Sequence, residues 1–248
     1  MAAMPPVELG AILFVAYAAV LIPRKPLIRR VVLSQAETLQ PKRQFILDFS
    51  LSLMAGILAS VYNMLVLGFP TGSILSLLIG CLMAGFFLAL DTALERERDI
   101  IFKTLEAKKD QEPPRHLYSM TRKFFLAALM SVLFFSVVLV MVITRDIIWL
   151  AGLDLSTNSL ATAQMSVAYE VFFIMAVMLV LVVNLIISYS KNLKLLFSNE
   201  TRVLERVSQG DLTGKVPIAT NDEFGVIAGH TNSMIDGLRH RMQLINDL

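Results

Sequence analysis

Apolar residues in this chain come in long blocks separated by short polar ones, and block length decides what each element is. A helix that crosses a bilayer needs about 20 mostly apolar residues. Five stretches approach that length: residues 4–22, 45–67, 71–90, 124–143 and 165–189. Residues 145–163 carry Asp146, Asp154, Asn158 and several Ser and Thr, which makes them a poor sixth span. Only Gly68, Phe69 and Pro70 separate the second block from the third, so a tight antiparallel hairpin is predicted there. Ser52, Gly56 and Ser60 recur every fourth residue on the second span, with Gly80 and Ala84 on the third. At that spacing small side chains let helix backbones approach closely in lipid. The stripe reads as a packing surface, with a ligand groove as the alternative.

Beyond residue 190 the blocks give way to an amphipathic pattern. Leu193, Leu196, Val203 and Val207 lie three or four apart with Glu200 in the remaining slot. Phe224, Ile227, Thr231, Met234, Leu238, Arg241, Ile245 and Leu248 then alternate strictly by three and four. Both runs have helical periodicity. The segment between them holds Gly210, Gly214 and Pro217, which stop a helix and then fix an extended residue. Thr220-Asn221-Asp222-Glu223 reads as a capping box, Thr220 accepting from the backbone at Glu223 and Glu223 reaching back. Two apolar seams joined by an extended connector suit two parallel helices. Neither seam is expected to be buried by one chain alone, so a second copy would complete a four-helix bundle.

Composition strengthens this picture. The 248 residues are 56% hydrophobic and 17% charged, with a positive mean hydropathy of +0.66. A soluble domain of this size rarely shows such values, so a membrane protein is predicted. The net charge of +2 argues for no nucleic-acid partner. Position matters more than sum. Residues 23–44 contain Arg24, Lys25, Arg29, Arg30, Lys42 and Arg43, and residues 91–123 contain eight further Lys and Arg, whereas the other two connections contain only Arg145. The positive-inside bias puts the basic loops in the cytoplasm. With five spans the amino terminus is then outside, and the last span delivers residues 190–248 to the cytoplasm. Glu95-Arg96-Glu97-Arg98-Asp99 continues the third span as a charged helix, expected to break at Pro113-Pro114. The simple expectation is a solvated extension; the alternative is that this loop touches the cytoplasmic region.

Chemistry-bearing residues are few. Cys81 lies in an apolar run and suits core packing. Glu8, Asp48 and Glu170 are carboxylates near span ends, within expected reach of water or headgroups, while Asn63 and Asn184 lie deeper. Ionisable groups in membranes are functional candidates by default. Glu170 and Asn184, close to four turns apart on the last span, are candidates for intramembrane sensing, with helix–helix hydrogen bonding as the alternative. Trp149, Tyr169, Tyr118 and Tyr189 are expected to anchor the two membrane interfaces. His116, His230 and His240 lack metal-ligand company. No phosphate-cradling loop, nucleophile elbow or paired catalytic carboxylates occur. This chain is therefore not expected to be an enzyme, nor to hold a cofactor or metal.

Gly210-Asp211-Leu212, Val216, Pro217 and Ile218, Asp222-Glu223-Phe224-Gly225, and Asn232-Ser233-Met234 with Leu238 resemble the HAMP linker domain, the dimeric relay between membrane sensors and cytoplasmic outputs. The resemblance covers about the last quarter of the chain. It departs at Leu196, where the family often has proline, and at Thr231, where a large apolar residue is usual. It implies an all-α protein with two parts: a polytopic transmembrane bundle over residues 1–189, and a cytoplasmic parallel four-helix HAMP bundle, formed as a dimer, over residues 190–248. Phe224, Ile227, Met234 and Leu238 would form the dimer seam with Leu193, Leu196, Val203 and Val207. Gly225 would permit a close approach, and Glu223 would tie the connector to the second helix. The implied function is signal transduction in the bacterial inner membrane, from a membrane-embedded receptor to an output domain following Leu248. By analogy that output is a nucleotide cyclase, less closely a histidine kinase. The rival reading is a small transporter or channel with a cytoplasmic assembly coiled coil.

Overall fold

The computed structural model of the chain describes residues 6–68, 71–107, 119–151 and 160–246. Among these residues the regular elements are all helical: α1 (Pro6–Leu21), α2 (Arg24–Leu27), a π turn (Ile28–Val32), a 3-10 turn (Glu37–Leu39), α3 (Gln40–Leu65), α4 (Thr71–Ala107), α5 (Met120–Ala151), α6 (Leu160–Ser208) and α7 (Glu223–Asn246). Five segments are long and apolar enough to cross a membrane: Gly10–Val32, Glu37–Leu65, Thr71–Leu105, Met120–Trp149 and Gln164–Ser208. Each contains most of one predicted span. The predicted break at Pro113-Pro114, together with His116, Tyr118, Asp154, Asn158 and Leu248, lies outside the described residues, as does the side chain of Glu8.

α3 and α4 form the predicted hairpin, and the small-residue stripe is its packing surface. Ala55 and Ala59 are fully buried, and Ser52 and Ser60 are buried beside them. A Cβ on Gly56 would stand 2.8 Å from Cys81 Cβ, and one on Gly85 would collide with the Ser52 side chain. Backbones this close exclude larger residues, so the stripe leaves no groove for a ligand. α1 leans on the same hairpin through Val20, Leu51 and Ala55, and Tyr17 and Ser52 share a hydrogen bond of 2.8 Å between hydroxyls.

The largest core lies where α4, α5 and α6 meet. It contains Phe86, Phe87, Leu94, Phe134, Val138, Met178, Leu185 and Tyr189. Phe86 sets its ring 5.9 Å from Phe45 and 5.3 Å from Phe134, joining α3 to α5 through α4. Tyr189 departs from its predicted interfacial role: it is buried and packs edge-on against Phe124 at 4.7 Å. Trp149 and Tyr169 are exposed, as interface anchors would be.

Asp48 also departs from expectation. Its carboxylate is buried rather than within reach of water. Arg24 grips it with Nε at 2.7 Å and Nη2 at 2.8 Å, while Gln44 Nε2 and the Thr92 hydroxyl each donate to Oδ2 at 2.6 Å. One acid thus joins α2, α3 and α4 at the basic-loop end of the bundle. A buried carboxylate persists only when paired and hydrogen-bonded this fully. Asp48→Asn is expected to destabilise the protein by roughly 3 kcal/mol, the low end for removing one partner of a buried pair, because Arg24 keeps part of its side chain in solvent. Thermal unfolding in detergent, followed by helical circular dichroism, checks this; an unchanged midpoint would refute the assignment.

Candidate functional site

The candidate site lies where the membrane helices meet the carboxy-terminal helix pair. α6 runs without a break from the membrane segment through Leu196 to Ser208, its 49 residues spanning roughly 70 Å at 1.5 Å per residue. It ends in a Schellman motif, the amide of Asp211 donating to Arg206 O and that of Gly210 to Val207 O, each at 3.0 Å. The cap needs a left-handed residue, and Gly210 supplies it at φ +87.

Asp211 then organises the turn. It accepts the Thr213 hydroxyl at 2.5 Å and the Thr213 amide at 3.0 Å, and it pairs with Arg206 at 2.5 Å. These bonds, those from Thr213 foremost, hold its carboxyl down to about 2. The connector that follows is pinned to α7. Asn232 accepts the Val216 amide at 2.7 Å and donates to the Val216 carbonyl at 2.8 Å, and Lys215 pairs with Asp236 at 3.2 Å. Val216 and Ile218 thereby enter a small core with Val203, Ala228 and Ile235, flanked by Val207 and Leu212.

This core is the packing that one chain completes alone. Within the chain α7 buries Ala228, Thr231 and Ile235, not Ile227, Met234 and Leu238, which stay 47%, 47% and 41% exposed. On α6, Leu193 and Leu196 are half-buried, and Phe197 meets Phe224 ring to ring at 5.0 Å. Thr231 does not loosen the packing: its hydroxyl donates to Glu200 at 2.5 Å, so the two polar residues set into apolar runs satisfy each other across the helices. His230, His240 and Arg241 are exposed. Gly225 is buried, and Pro217 is half-buried in the connector.

The predicted capping box is also rearranged. Asp222, buried, accepts the Phe224 amide at 3.1 Å and the Thr220 hydroxyl at 2.6 Å, and so caps α7 itself. An Asp at the N-cap does this better than Thr two residues earlier, because its oxygen already faces the first free amides. Glu223 is thereby released from the connector and turns to α5. The Ser119 hydroxyl and the Met120 amide, the latter at 2.7 Å, both donate to its carboxylate. Ser119 heads α5, accepting the Arg122 amide at 3.3 Å. One carboxylate therefore serves the N-termini of two helices, where the macrodipoles favour negative charge. These bonds, that from Ser119 first, hold the Glu223 carboxyl below its usual range.

A second grip comes from the part of α4 expected to be solvated. Ile101 and Thr104 are buried. Arg98 donates to Asn192 Oδ1 at 3.0 Å and to Ser188 Oγ at 3.2 Å, and Asn192 Nδ2 donates to the Leu94 carbonyl at 3.0 Å. Asn192 is 2% exposed, so this is a dry, interlocked contact. Lys123 completes the set by pairing with Glu97 at 3.0 Å, joining α5 to α4. Sequence reasoning missed Ser119, Ser188 and Asn192, for which an uncharged amide in the first turns beyond an apolar block was the available signal, while Arg98 belongs to the charged segment whose alternative expectation was contact with the cytoplasmic region.

The two intramembrane candidates are not brought together. Glu170 pairs with Arg145, which also reaches Asp146 at 3.1 Å, so it ties the far end of α5 to α6. Asn184 is exposed on α6. Among the described residues no three His, Cys, Asp or Glu side chains cluster as metal ligands.

Five membrane-length helices, of which α4 and α5 hold the long α6 and the amphipathic α7 by their ends, fit a membrane signalling input module. The comparisons give it a family: residues 1–173 match MASE10, a membrane-associated sensor domain, and the chain belongs to that family. It is 25% identical over 198 residues to a cyclic di-GMP phosphodiesterase of Vibrio cholerae serotype O1. That similarity covers 79% of this chain and 40% of the relative, so the chain spans less than half the relative's length. It is longer than the family match and so runs into α6 beyond residue 173. No solved structure matches the chain.

Two predictions test the grips. Asn192→Leu removes the acceptor of Arg98 Nε and the side-chain bond to the Leu94 carbonyl while Ser188 still accepts from Arg98, a loss of about 1 kcal/mol. Amide hydrogen exchange over residues 94–104 should accelerate, and unchanged protection would contradict the contact. Glu223 is a carboxylate held below its ordinary range, so its contribution is present above that range and is lost as pH falls through it. The Met120 amide should therefore be protected at neutral pH in the parent and lose that protection, relative to its intrinsic exchange rate, in acid, whereas in Glu223→Gln it should be unprotected at both. Equal exchange in parent and variant at neutral pH would break the latch.

Proposed function

We propose that this chain is the input and relay portion of a signalling protein that controls cyclic di-GMP, with residues 190–248 acting as a HAMP-type relay in a homodimer. The observation that carries the reading is the double grip. The α4 extension holds α6 through Arg98 and Asn192, while the head of α5 holds α7 through Ser119 and Glu223. A shift of α4 or α5 in the membrane is thus transmitted to both relay helices at separate points. A two-state bundle needs such a bias to change its populations.

Dimerisation is supported by the apolar residues that one chain leaves uncovered on α7, Ile227, Met234 and Leu238, and by Phe197 and Leu204 on α6. These are the residues that a second copy of the helix pair would bury. The basic loops of residues 23–44 and 91–123 support a cytoplasmic relay beneath an inner-membrane bundle. The output class follows the relative: a cyclic di-GMP phosphodiesterase displaces the nucleotide cyclase expected from the HAMP resemblance. The transporter reading is weakened by Asp48, whose carboxylate is closed by Arg24, Gln44 and Thr92 rather than open to an ion path.

The test uses the native gene product in nanodiscs. Cyclic di-GMP turnover is expected, and Glu223→Gln should alter its rate without altering the catalytic part. Absence of turnover, or a rate indifferent to Glu223, would overturn the proposal. Cysteine in place of Met234 should cross-link between copies in membranes. In a reporter with cysteine at Leu238, the change Met234→Glu should abolish the cross-link, and failure of both parent reporters to cross-link would sink the seam.

A further inference from the structure

A cleft of about 420 Å³ lies at the basic-loop end of the bundle, walled by α3, α4, α5 and α6 and touched by the relay connector. Its inner wall is apolar, with Phe45, Phe86, Leu90 and Met130 prominent. Its mouth carries Lys42 beside the Glu97–Lys123 ion pair. The volume falls in the range of small-molecule pockets, about 300–1,000 Å³. Asn221 of the connector lines the same cleft, one residue before the Asp222 cap and two before the Glu223 latch.

We propose that this cleft binds an anionic phospholipid, its acyl chain among the phenylalanines and its phosphate at Lys42. The assignment rests on the module reading above for its orientation and on three features for its ligand. The wall belongs to membrane-spanning segments, so an acyl chain reaches it from the bilayer. Lys42 follows a basic stretch, Arg24 to Arg30, that concentrates anionic headgroups near this end. The apolar depth and Lys42 at the mouth together match an amphiphile rather than a soluble anion. Because Asn221 forms part of the wall, occupancy acts directly on the start of α7, and the lipid composition of the leaflet becomes the stimulus that the relay reads.

The experiment is tryptophan quenching by lipids with brominated acyl chains. The native Trp149 is replaced by Phe, and Phe86→Trp places a reporter in the buried wall; Phe45→Trp serves if the first variant does not reconstitute. Brominated phosphatidylglycerol should quench the reporter more strongly than brominated phosphatidylcholine at equal mole fraction. Lys42→Gln should reduce that preference by roughly fivefold, the contribution of one basic residue at an anionic leaflet. Equal quenching by the two lipids, or a preference untouched by Lys42→Gln, would overturn the proposal. So would an unquenched reporter in a protein whose position-45 cysteines cross-link, which would assign the cleft to a second copy of the chain. The readout needs no output activity, so its failure leaves the relay reading standing, and failure of cyclic di-GMP turnover leaves the lipid result standing.

Discussion

Inside a bilayer, burying an apolar side chain between helices gains little over leaving it in lipid, so helices must be held by close backbone approach and by polar bonds. This chain uses each device in a different place. The α3–α4 hairpin is held by small residues, Gly56 against Cys81 and Gly85 against Ser52. The basic-loop end is held by polar bonds: Asp48 to Arg24 and Thr92, Arg98 to Asn192, Lys123 to Glu97, and Glu223 to the head of α5. The far end carries the Arg145–Glu170 pair.

α1, α3 and α4 form one interlocked unit, braced by Asp48. Between α5 and α6 an apolar groove of about 650 Å³ remains, lined by residues such as Phe135, Phe172 and Met175. Along that face α5 and α6 are less closely packed than α3 and α4.

The carboxy-terminal helix pair has only a small core of its own. Its intrachain core is only Val203, Val216, Ile218, Ala228 and Ile235, and the Glu200–Thr231 bond stands where apolar packing would otherwise continue. A core of this size stabilises modestly, and a hydrogen bond between half-buried groups is readily exchanged for another. Glu223, sitting at two helix N-termini, joins α7 to the head of α5 without a large interface.

The number and approximate limits of the membrane helices were legible in the sequence, because bilayer thickness imposes a block length that apolar runs must meet. The stop at Gly210 and the helix restart near residue 222 were legible for a similar reason: glycine conformation and side-chain capping are local. What only the tertiary structure decided is which polar group meets which. Ser119 and Glu223, or Leu94 and Asn192, lie about a hundred residues apart, and no periodicity records a pairing made by folding. The same holds for α7, whose apolar residues satisfy a heptad on more than one face. Burial of Ala228 and Ile235 rather than Ile227 and Met234 was settled by where Asn232 pins the connector, since that contact fixes the rotation of the helix about its own axis.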